Sequence, residues 1–280
     1  MRQLKWCFLL IILWTNTVLW GQIEPVIKSK VAFTIGETLE IKSQILKENR
    51  ILNIYLPKGY SEENAKTYPV IYLLDGSVDE DFIHISGLVQ FGSFPWINLL
   101  SETIVVGIAN VDRKRDFTYP STNKKDKKNF PTTGSSEQFI RFIEEEVQAL
   151  ITKEYKVNTS KTLIGQSLGG LLAAEILFKK PDLFDNYIII SPSLWWDNES
   201  LLTWNTPNYK TKKSIYIAVG KEGKVMEETA KGLFEKLNQS KSKNTKIFFE
   251  FFEAQNHGNI LHLAAYRAFE KVFGQKKAKK

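Results

Sequence analysis

Cysteine is almost missing from this chain of 280 residues: Cys7 is the only one, and it lies in the first apolar run. A single cysteine excludes intramolecular disulfides and cysteine-built metal centres. Histidine is scarce as well, so an imidazole base must be His84, His257 or His262. His257 and His262 are spaced i,i+5, which does not place two ligands on one helical face, and no zinc site is expected of that pair. No internal repeat, long flexible linker or nucleic-acid-binding motif accompanies the net charge of +7. The lysine runs Lys124, Lys125, Lys127, Lys128 and Lys276, Lys277, Lys279, Lys280 therefore read as solvated faces or chain ends, and nucleic acid is not expected as a partner.

What is present begins with an address. Arg2 and Lys5 precede an apolar run from Trp6 to Trp14, then Thr-Asn-Thr, then Val18 to Gly21. A charged start, a short apolar stretch and a small residue at its end describe a secretory signal peptide over residues 1–21. The run is too short and too interrupted to span a membrane. Removal after Gly21 would leave an exported, periplasmic or secreted protein without cysteine, and thiol catalysis would be excluded with it.

Residues 22–280 read as one domain, and a length of this order buries a sizeable core. Apolar, β-branched runs predict strands at Thr38–Ile45, Ile51–Leu56, Val70–Leu74, Ile104–Ala109, Thr162–Ile164, Tyr187–Ile190, Ser214–Val219 and Lys246–Phe252. The first two are adjacent and alternate in polarity, as an antiparallel edge would; the later ones are nearly continuous in apolar character, as covered central strands are. Helical spacing of Phe139, Phe142, Ile143, Val147, Leu150 and Ile151 predicts a helix over Glu137–Lys153. Further helices are expected at Ser167–Lys179, Met226–Leu237 and Ile260–Val272. Alternating strands and helices imply an α/β protein: a mostly parallel eight-stranded sheet with helices on both faces, the arrangement of the α/β-hydrolase fold.

The sharpest chemical signal is Gly165-Gln166-Ser167-Leu168-Gly169-Gly170, which follows the strand at Thr162–Ile164 and opens a helix. Chance produces G-x-S-x-G in roughly one chain of this length in ten at ordinary glycine usage, so the strand before it and the helix after it carry the argument. That context is a nucleophile elbow, with Ser167 on a sharp strand-to-helix turn. A serine hydroxyl needs a base, and the fold places it after the last strand, where Asn256-His257-Gly258 stands. The acid should follow the strand Ser214–Val219. Glu222 is nearest the strand end, Glu227 is the second candidate, and both also fit solvated carboxylates at a helix start. For the oxyanion hole, one donor is the N–H of Leu168 and the other comes from the loop Leu74-Asp75-Gly76-Ser77, with Ser77 N–H the choice.

These motifs, together with Val70-Ile71-Tyr72-Leu73-Leu74-Asp75-Gly76, Val106-Gly107-Ile108-Ala109-Asn110, the stretch Asp112 to Thr118 and Ser191-Pro192-Ser193-Leu194-Trp195-Trp196, occur in order over nearly the whole chain. In them the chain resembles the "putative esterase" family of α/β-hydrolases, which groups esterase D, siderophore esterases, feruloyl and acetyl-xylan esterases and the mycolyltransferases. The resemblance implies a hydrolase without cofactor or metal, acting on a small-molecule ester such as a siderophore or carbohydrate-linked ester, with an oxyanion donor after the Asp-Gly pair. It also implies that the acid position varies, some siderophore esterases working with a Ser/His pair, so Glu222, Glu227 and no acid at all stay open. No oligomeric state is implied. An acyltransferase would use the same parts, and a non-catalytic binding protein on this fold is the alternative of another class. Trp195, Trp196 and Arg115 are the candidate substrate contacts; Arg113 and Arg115 equally fit ion pairs with Asp112 and Asp116, and the aromatics equally fit the core.

Overall fold

The computed structural model describes residues 25–209 and 211–274. The expected signal segment with Cys7 and the C-terminal lysine run lie outside the described residues. Residues 25–35 contain no helix or strand, and all regular elements belong to the unit that begins at Ile35.

Eight strands form one sheet: β1 (Gly36–Lys42), β2 (Asn49–Tyr55), β3 (Tyr68–Leu73), β4 (Ile104–Ile108), β5 (Val157–Gln166), β6 (Asn186–Ile190), β7 (Lys213–Gly220) and β8 (Thr245–Phe252). Their order is β1-β2-β4-β3-β5-β6-β7-β8. β2 runs antiparallel to both β1 and β4, and every other pairing is parallel. The α/β-hydrolase architecture read from the sequence is thus the observed one.

The helices follow the apolar faces. They are α1 (Phe82–Gly92), α2 (Arg113–Phe117), α3 (Lys124–Asn129), α4 (Ser136–Arg141), α5 (Gln148–Glu154), α6 (Leu168–Lys179), α7 (Trp196–Glu199), α8 (Lys224–Gln239) and α9 (Ile260–Val272). Side chains alternate across a strand, so Val70 and Tyr72 enter one core while Ile71 and Leu73 enter the other. The first core takes Phe139, Val147 and Ile151 of the α4–α5 region, Leu171 and Leu172 of α6, and Leu233 of α8. The second takes Phe82, Ile85 and Val89 of α1 and Ile260, Ala264 and Phe269 of α9. The site below therefore lies at the sheet's carboxyl edge, between α1 and α9 behind one face and α6 behind the other.

Most boundaries shift by one or two residues from the sequence reading, and three departures are larger or have a visible cause. The helix expected over Glu137–Lys153 is continuous but widens into a π turn at Phe142–Val147 between α4 and α5. Glu146, in that turn, accepts the N–H groups of Gln44 and Ile45 at 2.7 and 3.1 Å and the Ser43 hydroxyl at 2.5 Å. That carboxylate draws the chain into a turn, so β1 ends at Lys42 instead of Ile45. β5 begins at Val157, five residues before the expected start, because the stretch 158–161 is polar and only partly covered, and so carries no apolar signal.

The segment after β4 is pinned by charge. Arg50 of β2 and Asp116 of α2 are both under 2% exposed and meet at 2.7 Å. Arg50 also donates to the Ala109 carbonyl, and the second Asp116 oxygen takes Arg115 Nε at 2.7 Å. Breaking such a pair costs about 3–5 kcal/mol where the charge is left wholly unpaired; Glu48, 2.9 Å from Arg50 Nη1, remains as a partner and reduces the cost to about 2–3 kcal/mol. Asp116→Ala is expected to lower unfolding free energy by that amount in urea titrations; a loss below about 1 kcal/mol would mean the pair does not anchor this segment.

Candidate active site

Ser167 stands between β5 and α6 with φ 61° and ψ −120°, a left-handed conformation that non-glycine residues rarely adopt. The turn is possible because its neighbours are small: a Cβ on Gly165 would lie 2.3 Å from the Gly169 carbonyl oxygen. Ser167 N–H donates to Ile190 O at 3.0 Å, and Ser193 N–H donates to Ser167 O at 3.0 Å, so the elbow is tied to the end of β6. The Ser167 hydroxyl lies 3.4 Å from that of Ser193.

His257 sits on the loop between β8 and α9. Gln166 Nε2 donates to its carbonyl at 2.6 Å, joining this loop to the residue before Ser167. His257 Nδ1 lies 2.5 Å from Glu222 Oε2. The Glu222 side chain is 2% exposed, and its other oxygen accepts Ser191 Oγ at 2.5 Å and the Gly220 N–H at 2.9 Å. Burial pushes the Glu222 carboxyl up, but the hydrogen bonds from His257, Ser191 and Gly220 outweigh it and hold the group below the usual carboxylate range. Glu227 does something else: its carboxylate accepts the N–H groups of Glu222 and Gly223 at 3.0 and 2.9 Å, closing the start of α8. Glu228 faces solvent near Lys224.

Ser167 and His257 line one cavity of about 410 Å³, together with Gln166, Asp75, Glu80, Asp81 and Arg113. Arg113 grips both oxygens of Asp75, Nε to Oδ1 at 2.5 Å and Nη2 to Oδ2 at 2.8 Å, and Nη2 also reaches Gln166 O at 3.2 Å. One guanidinium thereby joins the loop after β3 to the end of β5. That loop also presses on the start of α6, since a Cβ on Gly169 would sit 3.3 Å from Asp75 Oδ2. Gly76 has no room for a side chain either: a Cβ there would lie 2.3 Å from Gly107 Cα, and its N–H donates to Ile108 O. Ser77 and Leu168, the expected oxyanion donors, are the residues next along from Gly76 and Ser167.

The expected substrate contacts need correction. Trp196 is 1% exposed and its indole N–H donates to the Tyr119 carbonyl at 2.9 Å, so it is a core residue. Arg115 spends its guanidinium on Glu48, at 2.6 and 3.0 Å, and on Asp116. Trp195 packs on Phe130 and Trp196 and does not line the cavity. The cavity's arginine is Arg113, two residues before the one chosen from sequence; residues two apart on a helical turn point in different directions. The sequence reading takes Asp75 only as part of the oxyanion loop, and Glu80 and Asp81 not at all, because a turn-forming Asp-Gly and acids ahead of a helix look alike wherever they occur. Among the described residues, no group of three His, Cys, Asp or Glu side chains is arranged to hold a metal, and no helix is long and apolar enough to cross a membrane.

Comparison with known proteins places this geometry in context. The family described as "Putative esterase" matches residues 43–270. The ferri-bacillibactin esterase BesA of Bacillus subtilis is 31% identical over 261 residues, 85% of this chain and 90% of that protein. Among solved structures, the BES protein from Bacillus cereus superposes with TM-score 0.76 at 28% identity, over 89% of this chain and 98% of that one. An IroE-like serine hydrolase from Shewanella oneidensis does so with TM-score 0.76 at 27% identity, over 85% and 80%.

The cavity wall carries its own titration. Burial, then the charges of Asp75 and Glu80, push the Asp81 carboxyl from an ordinary 3.8 up to about 6, with Arg113 opposing. A carboxyl that binds its proton more tightly when folded adds stability at low pH, and that stability is lost as pH rises through about 6. Asp81→Asn should therefore raise the melting temperature at pH 8, by the equivalent of about 1 kcal/mol after solvent screening of a partly exposed group, and give no gain at pH 4. An equal shift at both pH values would contradict this.

Proposed function

This chain belongs to the "Putative esterase" family and is a carboxylic ester hydrolase, and from that premise we propose that it cleaves siderophore esters through Ser167, His257 and Glu222. The observation that carries the reading is the 2.5 Å contact between Glu222 and His257 beside a cavity that Ser167 and His257 share. A carboxylate at Nδ1 fixes the imidazole tautomer, leaves Nε2 free to accept a proton, and stabilises the imidazolium that follows.

In the proposed reaction the Ser167 hydroxyl attacks the ester carbonyl carbon as His257 Nε2 takes its proton. The carbonyl oxygen becomes an oxyanion held by the N–H groups of Leu168 and Ser77. His257 returns the proton to the alkoxide as the C–O bond breaks, and the alcohol departs. Water then adds to the acyl-enzyme with its proton going to His257, and collapse restores Ser167 and releases the acid. The α6 N-terminus favours the negative charge that develops beside it. Glu222 stays ionised throughout, which its three hydrogen bonds support.

The substrate class is supported by the BesA relative, which is a ferri-bacillibactin esterase and aligns over most of both chains. The Ser167 hydroxyl opens on one cavity, so a substrate with several ester bonds would present them to it in turn. Residues 1–21 are proposed to direct export, which would place the enzyme where ferric siderophores enter the cell envelope.

Ser167→Ala is expected to cut turnover of a chromogenic ester by roughly 10⁶-fold, and Glu222→Gln by roughly 10⁴-fold, while Glu227→Gln stays near wild type. Near wild-type turnover by Glu222→Gln would reduce the site to a Ser/His pair. Substrate class is read separately, by chromatography of products from a ferric siderophore trilactone. Cleavage of the chromogenic ester without cleavage of the trilactone would overturn the siderophore assignment and leave the esterase intact.

A further inference from the structure

The chain has three histidines. One is His257, and the other two, 178 residues apart in sequence, meet. His84 lies on α1 and His262 on α9, helices that pack together on the same face of the sheet. His84 Nε2 and His262 Nδ1 are 3.2 Å apart, with ring centroids 5.0 Å apart and planes inclined by 44°. His262 is exposed and His84 half-buried, so the paired nitrogens lie at the molecular surface.

Two nitrogens on a tetrahedral zinc ion, each about 2.0–2.1 Å from the metal, are separated by roughly 3.3–3.4 Å. The observed 3.2 Å spacing is within about 0.2 Å of that value. We propose that His84 and His262 form a binding site for a divalent transition-metal ion that bridges α1 and α9. Neutral imidazole is the ligand, and the two side chains supply two positions of the coordination shell. Water fills the others, in keeping with the lack of any third protein ligand among the described residues. Zinc and copper(II) suit imidazole nitrogen, whereas calcium and magnesium prefer oxygen and would not be held.

The position gives the site a consequence. α1 begins at Phe82, directly after the cavity residues Glu80 and Asp81, and α9 begins at Ile260, three residues after His257. A metal ion across His84 and His262 cross-links the helices that carry both segments. It stabilises the folded chain, because the two ligands come together only when it is folded.

The site is tested by titrating the folded protein, stripped with chelator, with zinc chloride in a calorimeter, and by following its melting temperature. Wild type is expected to take up one equivalent and to melt higher with zinc. His84→Ala and His262→Gln should each lose that equivalent and the thermal shift, with ester hydrolysis in metal-free buffer unchanged. His257→Ala should keep both, which separates this site from the catalytic histidine. Zinc uptake by His84→Ala and His262→Gln equal to wild type, or none by wild type, would overturn the proposal; the 3.2 Å contact would then be a hydrogen bond alone. The readout is binding, so it stands or fails independently of the substrate.

Discussion

Three residues in left-handed conformations hold this site together. Asp75, Ser167 and Ser191 have φ of 55°, 61° and 43°, and each stands just past the end of a central parallel strand, β3, β5 and β6 respectively. Such conformations cost of order 1–3 kcal/mol each in non-glycine residues and persist only where the surroundings fix them. Here the backbone ladder fixes them. Ser167 N–H donates to Ile190 O, Ser191 N–H to Ala218 O at 2.7 Å, and Gly76 N–H, next to Asp75, to Ile108 O. The chain keeps pairing with the next strand for one more bond, then turns sharply and throws a side chain outward. Those three side chains are the Arg113 partner, the elbow serine and the Glu222 partner, so one backbone device builds three parts of the site.

The charges around the cavity divide by environment. Glu222 is buried but amply hydrogen-bonded, which holds its carboxyl low; Asp81 has no such donors among the described residues and is pushed up to about 6. Among the described residues, Arg113 is the only arginine or lysine in the lining, and the two Asp75 oxygens hold its Nε and Nη2. The wall facing Ser167 is therefore acidic although the chain as a whole carries +7. Net charge thus says little about the local field at a site, and long-range attraction of an anionic substrate would act on the approach, not in the cavity.

The strands, the elbow and the histidine loop were legible because each rests on a local pattern: continuous apolar runs, glycines around a serine, and a histidine after the last strand. The place of Glu222 beside His257 follows from its distance to β7, since only Lys221 separates it from the end of that strand. Trp196 and Arg115 misled because side-chain direction is set by tertiary packing. Trp196 follows β6 as a substrate-contacting aromatic would, yet the Tyr119 carbonyl draws it inward. Arg115 shares a helical turn with Arg113, but Glu48, far back in the chain, claims it. Glu146 shows the same limit in the backbone, ending β1 early through a carboxylate about a hundred residues away.

In the proposed mechanism the acid–base half of the site is already assembled before substrate arrives, and the nucleophile half is not. His257 has its carboxylate at 2.5 Å, while the Ser167 hydroxyl has, among the described residues, only the distant Ser193 hydroxyl at 3.4 Å as a partner. Backbone bonds on both sides of Ser167 fix its Cα, so in the proposed mechanism the remaining adjustment is a rotation about χ1. Catalytic hydrogen bonds that are long in the free enzyme commonly tighten once substrate is bound. A side-chain rotation is small beside the cost of the left-handed backbone, which the fold has already met. The strain at Ser167 therefore does not have to be created during the reaction; it is built in with the sheet, and substrate has only to orient a hydroxyl that the backbone has placed.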